Sequence, residues 1–202
     1  MREQFGYAGS YLDFLWLYFS FHGGFCQGRD CLVLPTWNHL WFLPYLWRYT
    51  MAARLALRVV PAAWPGRMAD RLARLQGWPL LLIPALALGT SRALLWPRFG
   101  ETHALVDDWA EHAAYLPLFG FGLLLARRQP LLAQLQALRW TALALGLAGW
   151  ALLVGYPGQV PGWPAVAEWQ RVPMRLGFAA AQWGGIVAAF GFARAHLNRD
   201  HH

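Results

Sequence analysis

Four residues have the types and spacing for acid–base chemistry: His39, Arg48, Asp108 and His112. Asp108 and His112 are four apart and share a face if the segment is helical. A carboxylate so placed can fix the tautomer of a histidine acting as general base. The competing account is that acids at a helix amino terminus simply offset the macrodipole. His39 and Arg48 are nine residues apart, which at about 100° per residue puts them on opposite sides of an ideal helix. They converge only if Pro44 kinks the helix between them. Tyr45 and Tyr49 lie one residue from alignment with Arg48, where they either hydrogen-bond a substrate or anchor the helix. Arg48 itself either pairs with an acid on another helix or serves a site.

Arg67, Arg71 and Arg74 follow i, i+4 and i+3 spacing and form one basic stripe on a short helix. Anionic lipid headgroups account for such a stripe; so does a phosphate-bearing donor such as a coenzyme A thioester. Cys26 and Cys31 are the two cysteines of the chain. Either they form a disulfide, which an oxidising compartment would preserve, or they are two unpaired thiols. Two cysteines do not make a zinc site, and no set of three or four converging ligands is visible in the spacing. There is no Gly-rich phosphate loop, Gly-x-Ser-x-Gly elbow or zinc-protease motif.

The elements that must position these residues follow from composition. The 202 residues are 57% hydrophobic and 13% charged, about half the charge of a soluble domain. Too little polar surface remains to cover a soluble fold, and so apolar a chain does not stay disordered. The expected fold class is all-α, a polytopic transmembrane helical bundle. Spanning helices need about 20 mostly apolar residues, and five stretches qualify: 39–60, 78–96, 113–126, 137–155 and 173–193. The third is short and extends backwards through Asp108–His112. Trp78 and Trp96 bracket the second as interface anchors. Pro44, Pro84 and Pro117 lie inside spans, where neighbouring helices can satisfy the freed backbone groups. The last span is rich in Gly and Ala, which favours close helix packing. Residues 5–21 are aromatic-rich but hold Gly6, Gly9 and Asp13, and read as an interfacial or re-entrant segment; a sixth span is the alternative. Residues 1–38 are thus an outward aromatic segment and 39–202 the membrane region.

The formal charge of +7 comes from 17 basic residues, all Arg. They fall between apolar runs instead of lining one face, so they argue for membrane orientation and against nucleic acid. Residues 54–77, 127–139 and 194–202 hold ten Arg and two acids; residues 1–38, 97–112 and 156–172 hold four Arg and eight acids. That asymmetry puts the first set, with the carboxyl terminus, in the cytoplasm.

The stretch Pro35-Thr36-Trp37-Asn38-His39-Leu40-Trp41-Phe42-Leu43-Pro44-Tyr45-Leu46 resembles the membrane acyltransferase-3 family, especially its branch akin to glucan biosynthesis protein C. There a His-Leu-Trp-Phe-Leu sequence opens a middle transmembrane helix. Asp107 through His112 into Phe119–Arg127, and Gly191–Arg194 through His196–Asp200, are similar to later stretches of that family and occur in the expected order. The resemblance runs over most of the chain. It implies transfer of an acyl group, commonly acetyl or succinyl, from a cytoplasmic coenzyme A thioester to a hydroxyl of an envelope glycan or lipid-linked sugar in the inner membrane. His39 or His112 would be the base and Arg48 the positive charge. Trp41, Tyr45 and Tyr49 would bind the sugar, and Arg67, Arg71 and Arg74 the donor. Family members usually begin with further helices whose early Arg and His are central to catalysis, and at least one more helix is expected at the end. The expectation is therefore a partial domain, either a fragment of a longer enzyme or a truncated product, with another chain as one source of the missing helices. The alternative is a non-catalytic membrane protein, either a degenerate fragment or a helper in glycan export.

Overall fold

The computed structural model describes residues 9–19, 23–27, 30–34, 42–61, 63–100, 108–126 and 128–197. The chain divides into two compact units, Met1–Tyr45 and Leu46–His202.

In the first unit, α1 (Tyr11–Phe19) opens on a reciprocal cap. The Asp13 amide donates to the Ser10 hydroxyl at 3.2 Å, and the Ser10 amide donates to Asp13 at 2.9 Å. This is the capping-box exchange that satisfies orphan amides of a first turn. At nine residues the helix is roughly 14 Å long, less than half the hydrocarbon thickness. A two-stranded hairpin follows, β1 (Gly23–Gln27) antiparallel to β2 (Asp30–Leu34). No strand was expected in this segment. The apolar residues of the second strand run together as Cys-Leu-Val-Leu without the alternation that marks a half-buried strand. In the hairpin register Cys26 stands directly opposite Cys31. Opposed residues of antiparallel strands have Cα atoms about 4.5–5.5 Å apart, inside the span a disulfide requires.

The second unit is helical. It contains most of α2 (Phe42–Val59), then α3 (Ala63–Arg74), α4 (Trp78–Phe99), α5 (Trp109–Leu125), α6 (Gln129–Gln159), a 3₁₀ turn at Glu168–Arg171, and α7 (Val172–His196). Among the described residues, three helical stretches are long and apolar enough to cross a membrane: Trp78–Phe99, Gln129–Gln159 and Glu168–His196. The other two expected spans are helices but fall short. In α2 three arginines (Arg48, Arg54, Arg58) interrupt 18 residues, and α5 has 17 residues. Pro44 lies in the first turn of α2, where a missing N–H breaks no intrahelical bond. The kink invoked to bring His39 and Arg48 together therefore has no cause at that proline.

The core is the α6–α7 pair with α4 laid against α7. Glycines set how closely α6 and α7 approach. A Cβ on Gly149 would stand 2.5 Å from the Gly177 carbonyl oxygen, and one on Gly184 2.6 Å from the Gly146 nitrogen. Gly177, Gly184 and Gly191 recur every seven residues, and all three touch α6 backbone or side chains. Small residues at this spacing let two helices pack backbone to backbone, which van der Waals contact then stabilises in a bilayer.

Pro84 supplies the second fixed point. It has no N–H to give the carbonyl four residues back, so Leu80 O is left without its helical donor. The indole Nε1 of Trp183 on α7 donates to that oxygen at 3.0 Å, fully inside the protein. Leu80, Leu81, Leu131, Leu135 and Val187 are buried around it. Outside this core the helices are bare: Trp140, Leu147, Trp150 and Val154 of α6 are all more than half exposed. Such an apolar exterior suits hydrocarbon and not water. Gly77 and Gly100, with φ of 66° and 63°, bracket α4 in the left-handed region that glycine adopts freely.

Candidate functional site

α5 starts at Trp109, with Asp108 at its cap position. The helix thus reaches back to Asp108 as expected, and the His112 amide donates to the Asp108 carbonyl at 2.9 Å. Asp108 is completely buried and Glu111 is 3% exposed. Two carboxyl groups in so short a segment are costly to bury unless cations and donors face them.

α2 sets an arginine and a tyrosine against His112 of the same segment. Nearly all of its described side chains are exposed or half-buried; Tyr45 and Tyr49, one turn apart, are the buried pair. The hydroxyl of Tyr49 lies 2.8 Å from His112 Nδ1, and Arg48 Nη1 lies 3.1 Å from His112 Nε2. The Tyr49 ring packs against Phe119 at 5.6 Å, and the Trp109 edge meets His112 at 6.3 Å. Asp108, Glu111 and Tyr115 act electrostatically on the Tyr49 phenol together with Arg48.

The hydrogen bonds fix the tautomer. A guanidinium only donates, so Nε2 must present its lone pair to Arg48. A neutral imidazole then carries its proton on Nδ1 and donates it to the Tyr49 oxygen. The tautomer was expected to depend on Asp108, its i−4 neighbour. The contact at Nδ1 is the Tyr49 hydroxyl, because the long phenol arm of α2 reaches the ring. Arg48 meets His112 across the two helices, and none of the ion pairs among the described residues involves it.

The structure brings together Arg48, Tyr49, Asp108 and His112, with Tyr45 buried one turn from Tyr49. His39 and Trp41 lie outside the described residues, as do the side chains of Cys26 and Cys31. Arg67, Arg71 and Arg74 are exposed on α3 and stand apart from this cluster. A pocket shared by Arg67 and Arg128 touches Leu124 at the far end of α5. Twelve helical residues separate that level from His112, about 18 Å of rise. Among the described residues no three His, Cys, Asp or Glu side chains group as metal ligands.

Sequence reasoning missed Glu111, whose burial makes it part of the site and not only a macrodipole partner. It also missed the special status of Arg92, which is 7% exposed. The signal was available for both: an ionisable residue in or beside an apolar span is costly and tends to have a reason. No protein-family model matches the chain, and neither a curated protein nor a solved structure matches it.

Proposed function

We propose that the chain is an integral membrane O-acyltransferase-like protein of the inner membrane. It moves an acetyl or succinyl group from a coenzyme A thioester to a hydroxyl of an envelope glycan or lipid-linked sugar. The observation that carries this reading is His112, held between Arg48 and Tyr49 beside two buried carboxyl groups. Acyl transfer to an alcohol needs a base for the hydroxyl proton and positive charge for the oxyanion.

His112 Nε2 is the base, since it is the unprotonated nitrogen. The acceptor hydroxyl takes the place of Arg48 at Nε2, and the displaced guanidinium turns to the carbonyl oxygen where negative charge develops. The hydroxyl oxygen attacks the thioester carbon as its proton passes to Nε2. The carbon–sulfur bond then breaks, and the imidazolium returns that proton to the departing thiolate, leaving an ester and free thiol. Tyr49 orients the ring through Nδ1, and Asp108 and Glu111 offset the imidazolium charge. Arg67, Arg71 and Arg74 hold the donor's phosphates on the cytoplasmic side, so the acyl arm must reach along α5. Residues 1–38 are outside and the carboxyl terminus is cytoplasmic.

The test is transfer of labelled acetyl or succinyl from the coenzyme A thioester to glucan in membranes containing the chain. His112→Ala should lower the rate about 10²–10⁴-fold at an unchanged amount of membrane protein. Equal transfer in membranes with and without the chain removes the reading.

A further inference from the structure

A groove of about 320 Å³ lies where α6 begins and α7 finishes, lined by Gln129, Leu132, Phe190, Ala193, Arg194 and Leu197. The antiparallel seam brings those two ends together: Gly184 meets Gly146, Gly191 meets Leu135, and Arg194 meets Gln129. Arg194 belongs to the last turn of α7, where any cation offsets the helix dipole. Its surroundings go beyond that. Nε donates to the Gln136 side-chain oxygen at 3.2 Å, and Nη1 donates to that of Gln129 at 2.7 Å. Both acceptors are neutral carboxamides, so the guanidinium is aimed without its charge being cancelled. The two bonds leave further N–H groups on the guanidinium, and the amide N–H groups of Gln129, to donate.

The other end of α7 is built differently. There Arg175 donates to the Glu168 carboxylate at 2.6 Å, and Arg171 pairs with the same acid. None of the ion pairs among the described residues includes Arg194. The rest of the groove wall is apolar. Phe190 lies one turn along α7 from Arg194 toward the seam, and Leu132 about one turn along α6 from Gln129. Phe190 is 45% exposed and Leu197, at the outer lip, 82%. A polar end that gives way to an apolar wall along the helices matches a lipid, with its head at the rim and its chain running inward. Two arginine-rich stretches, 127–139 and 194–202, also meet at this end. Basic pockets between spanning helices hold anionic headgroups, whereas a zwitterionic head would bring a cation of its own to these arginines.

We propose that this groove is a binding site for an anionic phospholipid, its phosphate on Arg194 and Gln129 and an acyl chain along Leu132 and Phe190. The phosphate supplies the charged acceptor that two glutamines withhold. The site does not depend on the acyl-transfer reading, because its residues belong neither to the Arg48–His112–Tyr49 cluster nor to the α3 stripe.

The experiment uses the purified full chain in detergent micelles holding equal amounts of phosphatidylglycerol and phosphatidylcholine, with native mass spectrometry recording which lipid stays bound. The native chain should retain phosphatidylglycerol about fivefold over phosphatidylcholine, the equivalent of about 1 kcal/mol for one arginine at an anionic surface. Arg194→Gln should remove the preference. Gln129→Glu should remove it with the fold intact, because it gives Arg194 the kind of partner that Arg175 already has. Arg98→Gln takes the same charge from an exposed position in the last turn of α4 and should leave the preference in place. Excess inorganic phosphate should not displace the lipid; displacement would make the groove a small-anion site and overturn the lipid assignment. Equal retention of the two lipids by the native chain overturns the proposal. So does a preference that survives both Arg194→Gln and Gln129→Glu, or one that Arg98→Gln removes equally.

Discussion

The α6–α7 seam and the α2–α5 cluster are built from opposite materials. The seam turns on glycines, which bring two backbones together: a Cβ at Gly149, Gly184 or Gly191 would meet backbone atoms within 2.7 Å. The cluster is held by side chains alone, through an arginine, a tyrosine and a histidine that bond across two helices. A backbone seam has no alternative arrangement, whereas a side-chain cluster can exchange one partner for a substrate. The difference assigns the closest packing of the fold to one region and, in the reading proposed above, its chemistry to the other.

The strongest way to break that contrast is at the seam. Gly149→Val places carbon atoms against Gly177 O and Ala181 N, which cannot rotate away. Overpacking of this kind should cost about 3 kcal/mol or more, read as a lost thermal transition in detergent. Gly155→Val on the same helix, where nothing lies within 4 Å, should melt like the native chain.

Trp183→Phe comes next. It leaves the Leu80 carbonyl without a donor, at a cost of about 1–3 kcal/mol. In a Pro84→Ala background the amide of residue 84 can take that carbonyl. The Trp183→Phe penalty should then shrink by about 1 kcal/mol in a double-mutant cycle.

The cluster should respond the other way round. Tyr49→Phe should lower stability by only about 1 kcal/mol while disturbing acyl transfer far more, because His112 loses the partner that orients its ring through Nδ1. A cluster variant that unfolds the protein as Gly149→Val does would erase the distinction. Smallest of all, Arg128→Ala breaks a 3.3 Å pair with Asp70 in which both side chains are well exposed. It should change stability by less than about 1 kcal/mol, as denaturant titration would record.

Much of this fold was legible from local pattern. The apolar run flanked by Trp78 marks the start of α4, the small residues of 173–193 announce the seam, and Pro84 implies a donor from a neighbour. Asp108 and His112 could be placed on one face because i, i+4 spacing is a property of a single helix. The meeting of Arg48 and Tyr49 with His112 was not legible, since it joins residues more than sixty positions apart through the placement of α2 on α5. Glu111 and Arg92 carried a signal, an ionisable side chain in or beside an apolar span, but how deeply each is buried belongs to the packed helices and not to the segment. The hairpin at residues 23–34 escaped because its strands lack alternation.

The central claim is that Arg48 and His112 act as one catalytic unit. The most direct measurement is the acyl-transfer rate of Arg48→Gln, His112→Gln and the double variant, at matched membrane levels. Residues acting as a unit lose no more together than the worse single variant. The account predicts that the double variant falls to the His112→Gln rate and no further. Independent, multiplicative losses, or a His112→Gln rate equal to that of the native chain, would contradict it.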